Sequence, residues 1–490
     1  MSRVPMSVMT VSLALAALAA CDGEPAQEII PYVTEDRRID TGAEGDAVHP
    51  RMCVAGTTVY VVWQEDRGSG SNQVLFTAGR AGGAVWDEPI QLSTNPDGDA
   101  VAESPEIACL GESVYVVYED DRDSDIGHRN VYFRYSDDEG RTWQQEQLLS
   151  SDDKGDWDAL GPTIAVDPDL NGVDRRLYVA WYDNRFGAYD IYVNAGTNGY
   201  NWQVSEQRID TDTAGSAYSA HPQLASDGIG GVYVVWEDSR DGSNNVFYNH
   251  SFDWGTNWQG VDKRLDTGTA AGASDAFGLS LTVDRSRSPQ PAVFAAWHDD
   301  RNGPKDIYVN RSLDSGFTWD DTPTRIDNDA PGSANSFYPQ LSAEDDRVLV
   351  TWHDDRDIGF DIYLRSSDDS GASWLSETRI DTGIAGSAHS LDSRLARVGD
   401  RVAVGWTDYR TPVELGEQGH PDVYYRLSED EGYIFQEGDN RVDDDPAATA
   451  ISQDLQMVMA GPSVHMVWVD YRLGNADLWY RAMPAFVQAE

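Results

Sequence analysis

The chain has 490 residues, with 36 Lys and Arg against 84 Asp and Glu, so its formal net charge is −48. This balance argues against nucleic acid as a partner, because a protein that binds a polyanion needs clustered basic residues. A chain of this length exceeds one ordinary globular core unless the fold repeats. Short aromatic and β-branched runs separated by Gly, Asn and Asp predict an all-β protein.

The N-terminus reads MSRVPMSVMTVSLALAALAAC, with one Arg, an apolar run and then small residues. This pattern predicts a signal peptide over residues 1–20, because the apolar run is too short to span a membrane. Its end resembles the lipobox of bacterial lipoproteins, which implies cleavage before Cys21 and lipidation of that thiol. Residues 21–35 then form a tether. We expect an exported lipoprotein of the bacterial cell envelope, in the periplasm or at the cell surface, that meets the membrane through this lipid only.

The pattern Trp/Tyr-x-Asp/Glu-x-Arg recurs eight times in the rest of the chain. Its aromatic residue falls at Trp63, Tyr118, Trp181, Trp236, Trp297, Trp352, Trp406 and Trp468. The copies lie 54 to 63 residues apart. This period, with four strand-like segments in each unit, predicts a β-propeller. We expect the aromatic residue to be core and the repeated acid and Arg, such as Asp299 and Arg301, to form structural ion pairs.

The two ends of the repeat complement each other. The last unit stops after DLWYRAMP without a fourth strand, whereas the chain opens with an unattached RRIDT at Arg37–Thr41. That segment matches the fourth strands of other units, for example Arg208–Thr211. Ring closure removes the exposed edges of a sheet. We therefore predict eight four-stranded blades in one domain over residues 36–490, closed by the N-terminal strand.

A second motif, S-x-D-x-G-x-[TSN]-W, lies between the third and fourth strands. It begins at Ser136, Ser251, Ser312 and Ser367, with a weaker copy at Ser428. It resembles the Asp-box, or BNR repeat, of the sialidase-like propellers, over roughly residues 50–440. In that family the box is a structural turn on the face away from the active site, which agrees with the turn chemistry of Asp and Gly. The W-x-D-x-R-x4-D-I-Y part also resembles the repeats of TolB-like propellers, which mostly bind proteins.

Positions that vary between equivalent slots of the repeat are the candidates for function, because a residue required in every blade holds the blades together. One slot opens each inner strand and holds Arg51, Glu106 and Arg394. The other follows the repeated aromatic and holds Tyr182, His298 and His353. Both lie beside loops of the face where sialidase-like propellers bind ligands. Longer loops in the second and seventh units add asymmetry, and such loops commonly carry specificity.

These features predict a monomer that binds a glycan or a partner protein through its asymmetric loop face. The resemblance also implies an alternative, a sialidase-type exo-glycoside hydrolase, which would need three convergent Arg, a Tyr activated by a Glu, and an Asp acid/base. Arg51 stands near the first Arg, but the F/Y-R-I-P motif and a third unshared Arg are absent. We assign no catalytic residue. A structural envelope component is the third alternative.

No cofactor is required, but a structural Ca²⁺ has a candidate loop at Asp167, Asp169, Asn171 and Asp174. This D-x-D-x-N-G start is typical of calcium loops, although the Glu at the twelfth position is missing. Turn chemistry alone also explains these residues. His298 and His353, in adjacent units, could form a metal pair or simply cap their strands.

Cys53 and Cys109 occupy adjacent rather than equivalent strand positions. Successive side chains of a strand point to opposite faces, so we expect the two to face apart. The sequence therefore favours two free or buried thiols, with an inter-blade disulfide as the alternative.

Overall fold

The computed structural model describes residues 33, 35–42, 45–66, 70–95, 100–124, 126–150, 156–168, 172, 174–287, 289–410, 419–447 and 449–484. The signal peptide, Cys21 and most of the tether lie outside these residues. The described part forms eight antiparallel sheets. It contains no helix that is long and apolar enough to cross a membrane.

Each sheet is one blade of a β-propeller, and the innermost strands of consecutive blades contact one another around the whole ring. The inner strands are β2 (Ala47–Ala55), β7 (Ala102–Leu110), β11 (Ala159–Pro168), β16 (Ser219–Ser226), β20 (Ala276–Asp284), β24 (Ser336–Glu344), β28 (Ser390–Val398) and β32 (Ser452–Ala460). We number the blades 1 to 8 in this order.

The second strands are almost wholly buried, because neighbouring blades cover both of their faces. They are β3 (Thr58–Glu65), β8 (Ser113–Asp120), β12 (Arg175–Asp183), β17 (Val232–Asp238), β21 (Ala292–Asp299), β25 (Arg347–Asp357), β29 (Arg401–Asp408) and β33 (Ser463–Asp470). The third strands are β4 (Gln73–Arg80), β9 (Asn130–Ser136), β13 (Asp190–Thr197), β18 (Asn245–Ser251), β22 (Asp306–Ser312), β26 (Gly359–Ser367), β30 (Asp422–Ser428) and β34 (Asp477–Pro484).

The outer strands have only two residues each. They are β6 (Ile90–Gln91), β10 (Gln147–Leu148), β15 (Gln207–Arg208), β19 (Lys263–Arg264), β23 (Thr324–Arg325), β27 (Thr378–Arg379) and β31 (Asn440–Arg441), with β1 (Arg37–Arg38) in blade 8. Blades 1 and 3 carry an additional short strand, β5 (Val85–Trp86) and β14 (Asn201–Trp202). Arg37 pairs with Tyr480 and Arg38 with Trp479, so the N-terminal strand completes the last blade. The eight-bladed fold and its closure are confirmed.

The repeated motif residues have structural roles. Trp297, like the equivalent aromatic of each other blade, is fully buried. The Arg301 guanidinium binds Asp299 at 2.7 Å and lies over the ring of Tyr308, 4.1 Å from its centroid. The S-x-D-x-G segments form turns: in the copy at Ser136, the Gly140 amide donates to the Ser136 hydroxyl, and the Thr142 amide donates to Asp138.

Cys53 and Cys109 form a disulfide between blades 1 and 2, so the expectation of free thiols is wrong. Cys53 lies opposite Tyr60 and points toward blade 2, whereas Cys109 lies opposite Val114 and points back toward blade 1. In a propeller, one face of a blade packs against the opposite face of the next. Side chains that face opposite ways within their own sheets are therefore the ones that meet.

Candidate functional site

Every inner strand carries a β-bulge at its start, two residues before the slot that holds Arg51. The bulged residue has a φ between 49° and 66° in all eight blades. These residues are His49, Ser104, Gly161, His221, Gly278, Tyr338, Asp392 and Asp454. A bulge redirects its side chain out of the regular ladder. Outside glycine, this backbone conformation costs on the order of 1–3 kcal/mol, which draws attention to the position.

Sequence comparison of the repeats did not identify the bulged position. The sequence marks it only by the Pro that follows the bulged residue in five blades, for example Pro222 after His221 and Pro339 after Tyr338. A residue before Pro is expected to be extended. The left-handed conformation therefore could not be read from the motif.

The slot after the repeated aromatic forms the seam between blades. In several blades its side chain accepts a hydrogen bond from the bulged residue of the next blade. The acceptors are Gln64 for Ser104 (3.0 Å), Glu119 for Gly161 (2.7 Å), Glu237 for Gly278 (3.1 Å) and His298 Nδ1 for Tyr338 (3.4 Å). His298 and His353 are accordingly only 4% exposed. The structure places these two candidates beneath the loop face rather than on it.

Aromatic and imidazole rings lie at the loop face, or directly beneath it, from blade 3 to the start of blade 7. We call this region the aromatic sector; it comprises Tyr182, Tyr189, Tyr218, His221, Phe277, His298, Phe337, Tyr338, His353, Phe360 and His389. Neighbouring rings within it lie 5.0 to 6.2 Å apart between centroids. Tyr338 is 55% exposed and Tyr218 is 38% exposed.

An open cavity of about 470 Å³ lies in the middle of the aromatic sector. It is lined by His221, Gln223, Glu237, Phe277, Gly278, Leu279, His298 and Tyr338. Gly278 has to be a glycine, because a Cβ there would lie 2.7 Å from the His298 ring. The cavity therefore joins blades 4, 5 and 6, with polar groups on one side and ring faces on the other.

The Glu237 carboxylate organises the polar side of the cavity. Its Oε1 accepts the Gly278 amide, and its Oε2 lies 2.9 Å from Nδ1 of His221. This hydrogen bond raises the pKa of His221. Burial instead lowers the pKa of His298 to about 3 and that of His353 to about 4. At neutral pH these two imidazoles are uncharged, as the hydrogen bond accepted by His298 also requires.

The remaining candidates lie across the ring in a region that we call the charged sector, formed by Arg51, Glu103, Glu106, Glu119, Arg129, Asp392, Arg394 and Asp454. Arg51 Nε donates to Glu106 Oε1 at 2.7 Å, so two residues proposed separately are partners. Arg394 is half-buried, and this burial lowers the pKa of its guanidinium. It also interacts electrostatically with Asp392, Asp454 and Arg51.

A second group of charges in this sector surrounds Arg129, which binds Glu103 at 2.5 Å and Glu119 at 3.3 Å. Burial raises the pKa of Glu119 to about 7.

The proposed calcium loop is described only in part. Asp167 lies 3.0 Å from the Arg285 guanidinium, and Asp174 accepts a hydrogen bond from Asn198 at 2.7 Å. Asp169 and Asn171 lie outside the described residues. Among the described residues, three other acidic groups have metal-binding spacing, but each surrounds an arginine. In the first of them, Arg208 contacts Asp190, Asp210 and Asp212.

No protein-family model matches the chain. No curated protein matches it either. Among solved structures, the polysaccharide lyase Uly1 is similar with a TM-score of 0.48 and 11% identity, over 91% of each chain. The phage phi92 endosialidase has a TM-score of 0.39 and 11% identity, over 94% of this chain and 71% of its own. The Trypanosoma rangeli sialidase, solved with sialic acid, has a TM-score of 0.37 and 11% identity, over 78% and 54%. Likenesses this low carry no argument about what this chain binds.

Proposed function

We propose that the protein binds a glycan through the aromatic sector of its loop face. The observation that carries the proposal is the cavity between blades 4 and 6, where exposed ring faces meet oriented hydrogen-bonding groups. The apolar face of a sugar ring packs well on an aromatic ring, and this burial of apolar surface contributes to affinity. A few fixed polar groups then select the ligand by its hydroxyl pattern.

The cavity residues divide these two tasks. Tyr338 and Phe277 offer ring faces, whereas Gln223 and His221 offer hydrogen bonds at the mouth. Glu237 is buried and holds His221 in one orientation, so the imidazole is positioned before any ligand arrives. Such preorganisation lowers the entropic cost of binding.

The geometry favours binding over sialidase-type hydrolysis. Arg51 is paired with Glu106, and Arg394 is the only other arginine in the slot that opens an inner strand, so three convergent arginines are not found among the described residues of these slots. Burial raises the pKa of Tyr182, and burial together with Glu237 raises that of Tyr218. An activated tyrosine nucleophile needs the opposite shift. We expect no turnover of a fluorogenic sialoside.

Export and lipid anchoring at Cys21 belong to the same proposal. The Cys53–Cys109 disulfide supports export, because disulfides persist in oxidising compartments. Metabolic labelling with a radioactive fatty acid, compared between the wild type and Cys21→Ala, tests the anchor.

A structural Ca²⁺ at the Asp167 loop remains part of the proposal, and calorimetric titration with Ca²⁺ tests it.

A matched pair of variants tests the glycan proposal. Tyr338 and Asp454 occupy the same bulged position in blades 6 and 8. Tyr338→Ala removes an exposed ring from the aromatic sector, and we expect glycan affinity to fall about tenfold, or ~1.4 kcal/mol. Asp454→Ala should change affinity less than about twofold. A glycan array finds the ligand and calorimetry measures it; binding to no glycan, or equal losses in both variants, contradicts the proposal.

A further inference from the structure

We infer that the ligand is an internal stretch of a linear, uncharged polysaccharide, bound over several sugar units along the aromatic sector. This inference rests on the proposed function and goes further, because it names the class of glycan and how the chain lies. Three observations carry it: the continuity of the ring surfaces, their presence on both sides of the cavity, and the charge balance of the sector.

The ring surfaces continue well beyond one sugar site. On the blade 3 side, the ring centroids of Tyr218 and Tyr189 lie 5.5 Å apart, and those of Tyr189 and Tyr182 lie 5.0 Å apart. The Tyr182 ring lies beside that of His221 at the cavity, with 5.7 Å between their centroids. Consecutive stacking surfaces of this kind fit consecutive units of a polymer, since each ring face adds a contact of the same type.

A second series of rings leaves the cavity on its other side. The ring centroids of Tyr338 and the partly exposed Phe337 lie 6.1 Å apart, those of Phe337 and Phe360 6.0 Å, and those of Phe360 and His389 5.5 Å. Tyr218 is exposed, and Phe360 and His389 are partly exposed, so neither series is closed by burial at its end. A site for a chain terminus is closed on one side. Ring surfaces on both sides of the cavity instead suit a chain that enters and leaves.

The charges of the sector suit an uncharged chain. His298 and His353 are neutral at neutral pH, as their lowered pKa values show. His221 is paired with Glu237, and Lys305 lies 3.1 Å from Asp300. Neither cation is thus offered unpaired to an acidic sugar. The net charge of −48 adds a general repulsion against a polyanion.

Calorimetric titration with oligosaccharides of increasing length tests the inference. The ligands are cello-, laminari-, manno- and xylo-oligosaccharides from disaccharide to octasaccharide, with oligogalacturonates as the acidic series. In one neutral series we expect affinity to rise about tenfold or more with length and then level off. The affinity for that series should change less than about twofold between low and high salt, because no charge is exchanged.

Two variants locate the chain along the rings. His389→Ala, at the far end, should weaken the longest oligosaccharide about threefold or more and leave the disaccharide unchanged. Tyr338→Ala, beside the cavity, should weaken both. Thermal unfolding of each variant excludes loss of the fold as the cause.

The outcomes separate this inference from the proposed function. A disaccharide that binds as tightly as an octasaccharide overturns the internal-chain inference, and so does a preference for the acidic series; in both cases glycan binding itself stands. Binding of no saccharide in any series overturns both, and would favour a partner protein on this face.

Discussion

The aromatic sector and the charged sector occupy the same ring and use the same two slots of the repeat, yet they differ in how the slots are filled. At the bulged position, blades 4, 5 and 6 of the aromatic sector have His221, Gly278 and Tyr338, whereas blades 7, 8, 1 and 2 have Asp392, Asp454, His49 and Ser104. The backbone at these positions is equivalent, so the difference lies wholly in the side chains. Eightfold repetition supplies the scaffold, and substitution at the bulge distinguishes one part of the face from another.

The seams between blades differ in the same way. In the charged sector, side chains of blades 1 and 2 bind each other directly, through the Arg51–Glu106 ion pair and the Cys53–Cys109 disulfide. In the aromatic sector, Glu237 and His298 hold backbone amides of the next blade, as Gln64 and Glu119 also do in blades 1 and 2. The charged sector adds direct links between its own side chains, whereas the aromatic sector keeps its exposed rings available for a ligand.

The largest expected effect tests the fastening of the charged sector. Replacing Cys53 and Cys109 together by Ala should lower the free energy of unfolding by ~2–4 kcal/mol, because the disulfide constrains the unfolded chain. Urea denaturation measures the change. Glycan affinity should stay the same, since the aromatic sector is untouched. Reductant should destabilise the wild type but not the double variant; an equal response of the two would contradict the disulfide.

The fold could be predicted from the sequence because each blade repeats the same local instructions. The period, the buried aromatic and the unattached RRIDT segment together require eight blades and N-terminal closure, and β1 pairs with β34 as expected. The turn at Ser136 follows from the geometry that Asp and Gly favour in any context. These features depend on residues close in sequence or on strict repetition.

The site was less predictable because it depends on contacts between blades. Arg51 and Glu106 lie 55 residues apart, and no local pattern says that they pair. Comparison of the repeats singles out the variable slot of His298, but only the packed ring shows that it is a seam position facing a backbone amide. The disulfide was missed for the same reason: the parity of side chains within one sheet was considered without the face of the neighbouring sheet.

A smaller effect should distinguish the seams by their response to acid. The unfolded His353 side chain takes up a proton near pH 6.5, whereas the folded one does so only near pH 4. Its contribution to stability is therefore complete above pH 6.5 and is lost as the pH falls toward 4. Between about pH 6 and pH 5 the wild type should lose ~1 kcal/mol more than His353→Gln.

Urea denaturation at a series of pH values measures this difference. Thr407 fills the equivalent slot in blade 7 and cannot titrate there, so Thr407→Val is the matched control and should parallel the wild type at every pH. Parallel curves for His353→Gln and the wild type would mean that His353 is already charged or solvated in the folded protein.

The smallest expected effect concerns Arg51 and Glu106. Their side chains are 34% and 33% exposed, and an ion pair of this exposure contributes only ~0.2–1 kcal/mol. A double-mutant cycle with Arg51→Gln and Glu106→Gln, followed by urea denaturation, measures that coupling. Neither substitution should change glycan affinity beyond about twofold, because the two side chains bind each other and lie outside the aromatic sector.

Measuring glycan binding by these two variants also tests which sector holds the ligand. If Arg51→Gln alone abolished binding of an acidic sugar, the ion pair would be a resting state that the ligand opens, and the charged sector rather than the aromatic one would be the binding surface.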